Sequence, residues 1–210
     1  MNLTDTRRQY LGQPLSETES HADPFRQFDI WFAHASDCEA DPTAMAIATA
    51  TRDGRPSVRM VLLKGVDDRG FVFYTNYRSQ KAKELAQSGR ASLLFYWQSL
   101  ERQIRIGGAV EQVSEAESDA YFATRPLESR WSAYASRQSE VIESRASLES
   151  RFEAARQIHA DSIPRPRWWG GYRVVPDEFE FWQGRENRLH DRVRYARSAD
   201  ATWRRERLAP

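Results

Sequence analysis

The sequence predicts a mainly β fold with packed helices, an α+β chain whose antiparallel sheet has enough strands for a small barrel. Three observations predict it. Apolar and polar residues alternate with a period of two through the middle of the chain and again near its end. The links between the first runs carry hairpin turn chemistry, and the stretches around them switch to helical spacing.

Residues 1–23 read as a mobile N-terminal arm, with an Arg7-Arg8-Gln9-Tyr10 cluster followed by Gly, Pro and acidic residues; residues 24–210 read as a single domain. Asp23-Pro24 opens a helix, because Pro suits the first turn and Phe25, Phe28, Ile30, Trp31 and Phe32 recur at helical spacing. Strands follow over 44–51, 57–64 and 70–75, joined by Arg52-Asp53-Gly54-Arg55-Pro56 and Asp67-Asp68-Arg69-Gly70. A short helix over 79–88 stops at Gly89, and strands over 91–97 and 102–113 bring the sheet to about five. Ser114 with Glu117 forms a capping box, and a helical pattern interrupted at Arg125-Pro126 runs to about His159. After Pro164-Arg165-Pro166, late strands are expected over 172–175, 178–182, 189–195 and 203–208.

Lys plus Arg number 31 and Asp plus Glu 30, so no global field draws nucleic acid or a membrane surface, and an anion must be caught locally. One cysteine, Cys38, excludes an intramolecular disulfide framework and suits a reducing compartment. With no signal-peptide core and no apolar run of spanning length, a cytoplasmic location is expected. Metal-ligand spacings, a nucleophile elbow and Gly-rich phosphate loops are absent from the sequence. Seven Trp, eight Tyr and ten Phe accompany a preference for Arg over Lys, a composition suited to flat, phosphate-bearing ligands and equally to an ordinary β-rich core.

Three constellations could carry chemistry. In the strand Arg59-Met60-Val61-Leu62-Leu63-Lys64, period two puts one cation on each face. These serve two anionic ligands, or one ligand and a structural carboxylate, or they snorkel at strand ends. Tyr121, Arg125 and Ser129, four apart in a helical stretch, would stack on one face and could converge on a phosphate. Arg188-Leu189-His190-Asp191-Arg192, if extended, aligns Arg188, His190 and Arg192 on one face beside Trp182, a self-repelling row unless an anion or an aromatic partner intervenes.

With these, the blocks Phe73-Tyr74-Thr75-Asn76, Ser79-Gln80-Lys81-Ala82, Leu100-Glu101-Arg102-Gln103, Gln138-Ser139, Trp169-Gly170-Gly171, Glu180-Phe181-Trp182-Gln183-Gly184 and Arg207-Leu208-Ala209-Pro210 resemble the pyridoxine/pyridoxamine 5'-phosphate oxidase family, in order over nearly the whole chain. The resemblance implies an antiparallel split β-barrel of the FMN-binding type and a homodimer with flavin mononucleotide at the subunit interface. It implies oxidation of pyridoxamine or pyridoxine 5'-phosphate to pyridoxal 5'-phosphate, with O2 reduced to H2O2. It places the flavin on Arg59, Met60, Val61, Leu62, Leu63 and Lys64, on Tyr74, Thr75, Lys81, Gln103, Trp182 and Arg192, and on Gln138 and Ser139 reaching in from the partner subunit. Arg59 and Lys81 would hold the flavin phosphate. The substrate phosphate would meet Lys64, Tyr121, Arg125 and Ser129. Arg188, Leu189 and His190 would flank the pyridine ring, with Arg188 and His190 catalytic, while Arg7 and Tyr10 close over the substrate. Gln80 departs from the Arg usual in the family, which implies weaker flavin phosphate affinity. The related flavin oxidases of phenazine biosynthesis and a flavin-binding barrel without oxidase activity are the alternatives.

Overall fold

A computed structural model describes residues 9–210. Helix α1 (Pro24–Cys38) starts where expected, with the Asp23 carboxylate accepting the Phe25 N–H and Pro24 in the first turn. Strands β1 (Ala44–Ala50), β2 (Pro56–Leu62), β3 (Gly65–Asp67) and β4 (Gly70–Asn76) follow, β3 being a short strand that the sequence pattern does not announce. Helix α2 (Gln80–Ser88) is capped by Ser79 and ends at Gly89, whose left-handed φ of 66° a side chain would oppose. Next come β5 (Arg90–Trp97) and β6 (Arg102–Gln112), then α3 (Glu115–Thr124), α4 (Leu127–Ala135) and α5 (Arg145–His159). The Ser114 cap forms, its Oγ accepting the Glu117 N–H at 3.1 Å, while the Glu117 carboxylate turns to Arg173 instead of closing the box.

The C-terminal part corrects the sequence reading in two places. The two strands expected over 172–175 and 178–182 are one strand, β7 (Trp169–Gln183). Its first half pairs with β4 through Val174, its second half pairs with β8 (Asp191–Arg197) from Glu178 onward, and β6 lies along its other edge. Pro176 falls in the gap between the two partners, opposite Gly108 and beside the bulge at Gly107/Gly108, where its missing N–H forfeits no bond to β4 or β8. The strand expected from Leu189 begins only at Asp191, and β9 (Trp203–Arg207) closes the edge.

The sheet order is β2-β1-β5-β6-β7-β4-β3, with β8 and β9 branching from β7, a curled antiparallel half-barrel. Its inner face buries Met45, Ile47, Leu93, Phe95, Trp97, Ile104, Ile106, Phe179, Phe181, Val193 and Tyr195 against Phe28 and Trp31 of α1. A second cluster, with Phe122, Trp131, Ala155 and Trp169, joins the three middle helices to the start of β7. Arg173, 2% exposed, is neutralised by Asp67 and by Glu117 at 3.1 Å, tying β7 to the β3–β4 turn and to α3. No helix among the described residues is long and apolar enough to cross a membrane.

Candidate active site

A cleft of about 290 Å³ opens where the end of β2 meets β4, the first turn of α2 and the end of α3. Met60, Val61, Leu62 and Lys64 form one wall, and Tyr74, Thr75 and Lys81 the floor. Tyr121, Arg125, Gln138 and Trp169 complete the lining, which among the described residues therefore holds three cations and no carboxylate. An anion is the ligand that such a lining favours.

The aromatic residues are stacked. Tyr74 and Tyr121 lie 3.9 Å apart and nearly parallel, and Trp169 is parallel to both at 5.5 and 6.1 Å. Burial pushes the Tyr74 hydroxyl up to about 12, so it stays a neutral donor at physiological pH. The Arg125 guanidinium packs 4.6 Å from the Trp169 ring centre, and its Nη1 is buried without a hydrogen-bond partner. Burial lowers the pKa of Arg125, yet a guanidinium does not give up its proton, so a charged side chain with one buried, unmet donor lines the cleft. On the floor, Lys81 Nζ donates to Gln138 Oε1 at 3.0 Å and to Thr75 Oγ1 at 3.2 Å. Burial and the neighbouring Arg59 lower its pKa.

Arg59 itself turns behind this floor. Its Nη2 meets Glu84 at 3.0 Å, and Glu84 also accepts from Thr49, Ser57 at 2.6 Å and Gln80 at 2.9 Å. Of the readings open for the two cations of this strand, the structural carboxylate describes Arg59, while Lys64 is exposed at the cleft. Leu63 points into the core.

A second group stands elsewhere on the same chain. Gln103, Trp182 and Arg192 are directly opposite one another across β6, β7 and β8, so they share the outer face of the sheet. Glu180 holds Arg192 at 2.8 Å and Arg105 at 2.9 Å. Trp182 packs 4.7 Å from the His190 ring, and Tyr10 stands edge-on to both at 5.6 and 5.3 Å. The arm residues are held here: Leu11 N–H bonds to Glu101, Leu15 N–H to Asp191, and Arg185 Nη1 to the Gly12 carbonyl. Gly184 leaves room for Tyr10, since a Cβ there would stand 2.6 Å from its ring. None of this second group lines the cleft.

Residues 33–159 match the family described as pyridoxamine 5'-phosphate oxidase, and residues 169–210 match the pyridoxine 5'-phosphate oxidase C-terminal dimerisation region. The chain belongs to the pyridoxamine 5'-phosphate oxidase family. Proteins named pyridoxine/pyridoxamine 5'-phosphate oxidase from Thermosynechococcus vestitus and Rubrobacter xylanophilus are each 55% identical to it. The first match covers 99% of both chains, and the second covers 100% of this chain and 97% of the relative. PhzG from Burkholderia lata, solved in complex with tetrahydrophenazine-1-carboxylic acid, is 34% identical, with a TM-score of 0.89 over 95% of this chain and 99% of that one. A pyridoxamine 5'-phosphate oxidase-related, FMN-binding protein from Nostoc punctiforme shares the fold at a TM-score of 0.73 and 18% identity, over 90% of this chain and 100% of that one. The split-barrel expectation holds.

Within this oxidase fold, three local expectations are corrected. Tyr121, Arg125 and Ser129 do not share a helix face: α3 stops at Thr124, Arg125 is extended, and Pro126 caps α4, because the residue before a proline avoids helical ψ. Tyr121 and Arg125 still meet in the cleft, whereas Ser129 does not line it. Arg188, His190 and Arg192 are not a strand row, since Glu186–Arg188 is a 3-10 turn with Asn187 and Arg188 at φ 54° and 61°. Arg188 and Leu189 are therefore exposed at a turn. Gln138, expected from the partner, lies in its own chain's cleft because the segment after α4 folds back over β4; Ser139 follows at φ 73° and is exposed. Arg7 lies outside the described residues. Sequence reasoning missed two contributors: Trp169 as the platform under Arg125, and Glu84 as the partner of Arg59. The Trp169-Gly170-Gly171 block and the placement of Glu84 three residues after Lys81 on α2 were the available signals.

Proposed function

We propose that this oxidase converts pyridoxamine or pyridoxine 5'-phosphate to pyridoxal 5'-phosphate, with O2 reduced to H2O2. The observation that carries the reading is the bare, buried Nη1 of Arg125, on a guanidinium stacked against Trp169 in a cleft that contains Lys64 and, among the described residues, no carboxylate. A phosphate supplies the acceptors that this donor lacks. Flavin mononucleotide is the cofactor, and the donors around Lys81 and Thr75 at the capped start of α2, beside the apolar Met60 and Leu62, fit its phosphate and ring system. Bound flavin supplies the two-electron acceptor, and this chain supplies orientation and charge.

A homodimer completes the site. The cleft is at the small end of ligand sites, roughly 300–1,000 Å³, and the Trp182–His190–Arg192 group sits apart from it. On β2, Val58, Met60 and Leu62 expose 68%, 62% and 42% of their surface on the outer face, an apolar row that a second copy would cover. Such a copy would present its Trp182, Arg188, His190 and Arg192 to this cleft, with Arg188 and His190 flanking the substrate ring and Tyr10 closing above it. Arg125, Lys64 and Tyr121 would hold the phosphate far from the reacting carbon, so their binding energy serves positioning.

The likeness to PhzG favours a second reading, oxidation of a reduced phenazine precursor. That substrate carries no phosphate and would leave Arg125 Nη1 bare. Peroxide release under air, compared between pyridoxamine 5'-phosphate and a reduced phenazine carboxylate, decides between them; release with the second alone, or a protein that cannot take up flavin mononucleotide, would sink the proposal. Trp169→Leu removes the platform under Arg125. Its expected effect is a KM for the phosphorylated substrate about tenfold higher with flavin retained and kcat little changed, since a partly buried cation–π contact contributes about 1–2 kcal/mol; Trp169→Phe should recover most of it.

A further inference from the structure

The backbone N–H of Arg185 donates to Nδ1 of His190 at 3.1 Å. A backbone amide offers only a proton, so the nitrogen opposite it must present a lone pair. A neutral imidazole with its lone pair on Nδ1 carries its hydrogen on Nε2. We infer that His190 serves this oxidase as a neutral imidazole fixed in the Nε2–H form, a hydrogen-bond donor to an acceptor atom of the pyridine substrate and not the base that removes a substrate proton. The role, though not the tautomer, rests on the oxidase reading above.

The argument is one of lone pairs. Arg185 uses the lone pair of Nδ1, and Nε2 is protonated, so the ring has none left with which to accept a proton unless the turn opens. The turn is braced against opening. Leu189 N–H bonds to the Glu186 carbonyl at 3.0 Å, and Arg185 Nη1 is anchored on the Gly12 carbonyl at 3.0 Å. The ring is packed against Trp182 and edge-on to Tyr10, which resists the half-rotation that would exchange its nitrogens.

The surroundings agree. Tyr10 faces the imidazole from the arm, Trp182 from β7, and Arg185 and Arg188 from its own turn. Asp191, the carboxylate next in sequence, is turned to Arg207 at 2.7 Å and to the Leu15 N–H. Burial and then Arg188 lower the pKa of His190, so the neutral ring prevails at physiological pH. A proton added at Nδ1 would set one N–H against another and break the Arg185 bond.

The first test uses the flavin-loaded enzyme labelled with 15N-histidine, whose four histidines are assigned by the signals lost in His190→Gln. Long-range 15N–1H correlation at neutral pH should show a lone-pair-bearing Nδ1 and a protonated Nε2 for His190. A proton on Nδ1, an imidazolium, or averaging between tautomers overturns the inference. This readout needs no turnover, so failure of the peroxide assay with the tautomer intact would count against the substrate reading alone. The second test is kinetic. His190→Gln places an amide donor near the position of Nε2 and should lower kcat by no more than about tenfold, whereas a lost general base costs about 10²–10⁴-fold; a loss in that larger range overturns the donor role.

Discussion

Arg125→Ala is expected to raise the KM for the proposed substrate pyridoxamine 5'-phosphate by about 100-fold and to change kcat by no more than about threefold, because charge-assisted bonds contribute about 1.5–3 kcal/mol each and tenfold in affinity is about 1.4 kcal/mol. The guanidinium is half-buried between Trp169 and Phe122 with an unmet Nη1, so it is already oriented before ligand arrives and loses little freedom on binding. It stands at the phosphate end of the proposed substrate, away from the bond that breaks, which is why binding suffers and turnover does not. Arg125→Lys should recover part of the loss, since it restores charge without the two-pronged fork. Steady-state kinetics with phosphorylated and unphosphorylated pyridoxamine check this: the unphosphorylated compound should react equally poorly with both proteins. An unchanged KM for the phosphorylated substrate would remove the phosphate from this end of the cleft.

The second large effect is on stability. Burial alone would raise the Glu84 carboxyl, but hydrogen bonds from Ser57, Thr49, Gln80 and Arg59 outweigh it and bring the pKa down to about 2 from an ordinary 4.5. A depressed carboxylate contributes stability that is fully present above the unfolded value and is lost as pH falls through the folded one. The window is therefore pH 4.5 down to 2, and the shift corresponds to about 3 kcal/mol. Glu84→Gln should accordingly be about 3 kcal/mol less stable than the parent at pH 7, with the gap closing toward pH 2. Urea unfolding of both proteins at pH 7 and pH 3 measures the difference, and a gap independent of pH would show that Glu84 is not the titrating group. Because Glu84 also anchors Arg59 behind the floor that holds Lys81, the variant should bind flavin mononucleotide more weakly as well.

How far the molecule could be read from its sequence depended on the range of the interaction. Helix starts were legible because a cap is a local contact: Asp23 before α1, Ser79 before α2 and Ser114 before α3 each bond within three residues. The strands β1, β2, β5 and β6 were legible because burial of one face imposes alternation, and β4, buried on both faces, was legible as a short apolar run behind the Asp67-Asp68-Arg69-Gly70 turn. Strand β7 was misread as two because the tolerance of Pro176 depends on what lies beside it, and the handover from β4 to β8 is a property of the sheet. The run from Arg188 to Arg192 was misread as extended because nothing local announces two successive left-handed residues without glycine at Asn187 and Arg188.

By itself the sequence determined the mainly β class, the helix starts, the family resemblance and most residues that line the cleft, since each of these depends on neighbours along the chain or on whole blocks of residues. Only the tertiary structure decided that Arg125 is seated on Trp169 with a bare N–H, that Gln138 serves its own chain, and that Arg59 answers to Glu84. It alone separated the cleft from the Trp182–His190–Arg192 group, and it alone put the Arg185 amide against the His190 imidazole. The physical reason is common to all of them: charge partners and hydrogen-bond partners are chosen by distance in space, and a sequence reports only distance along the chain.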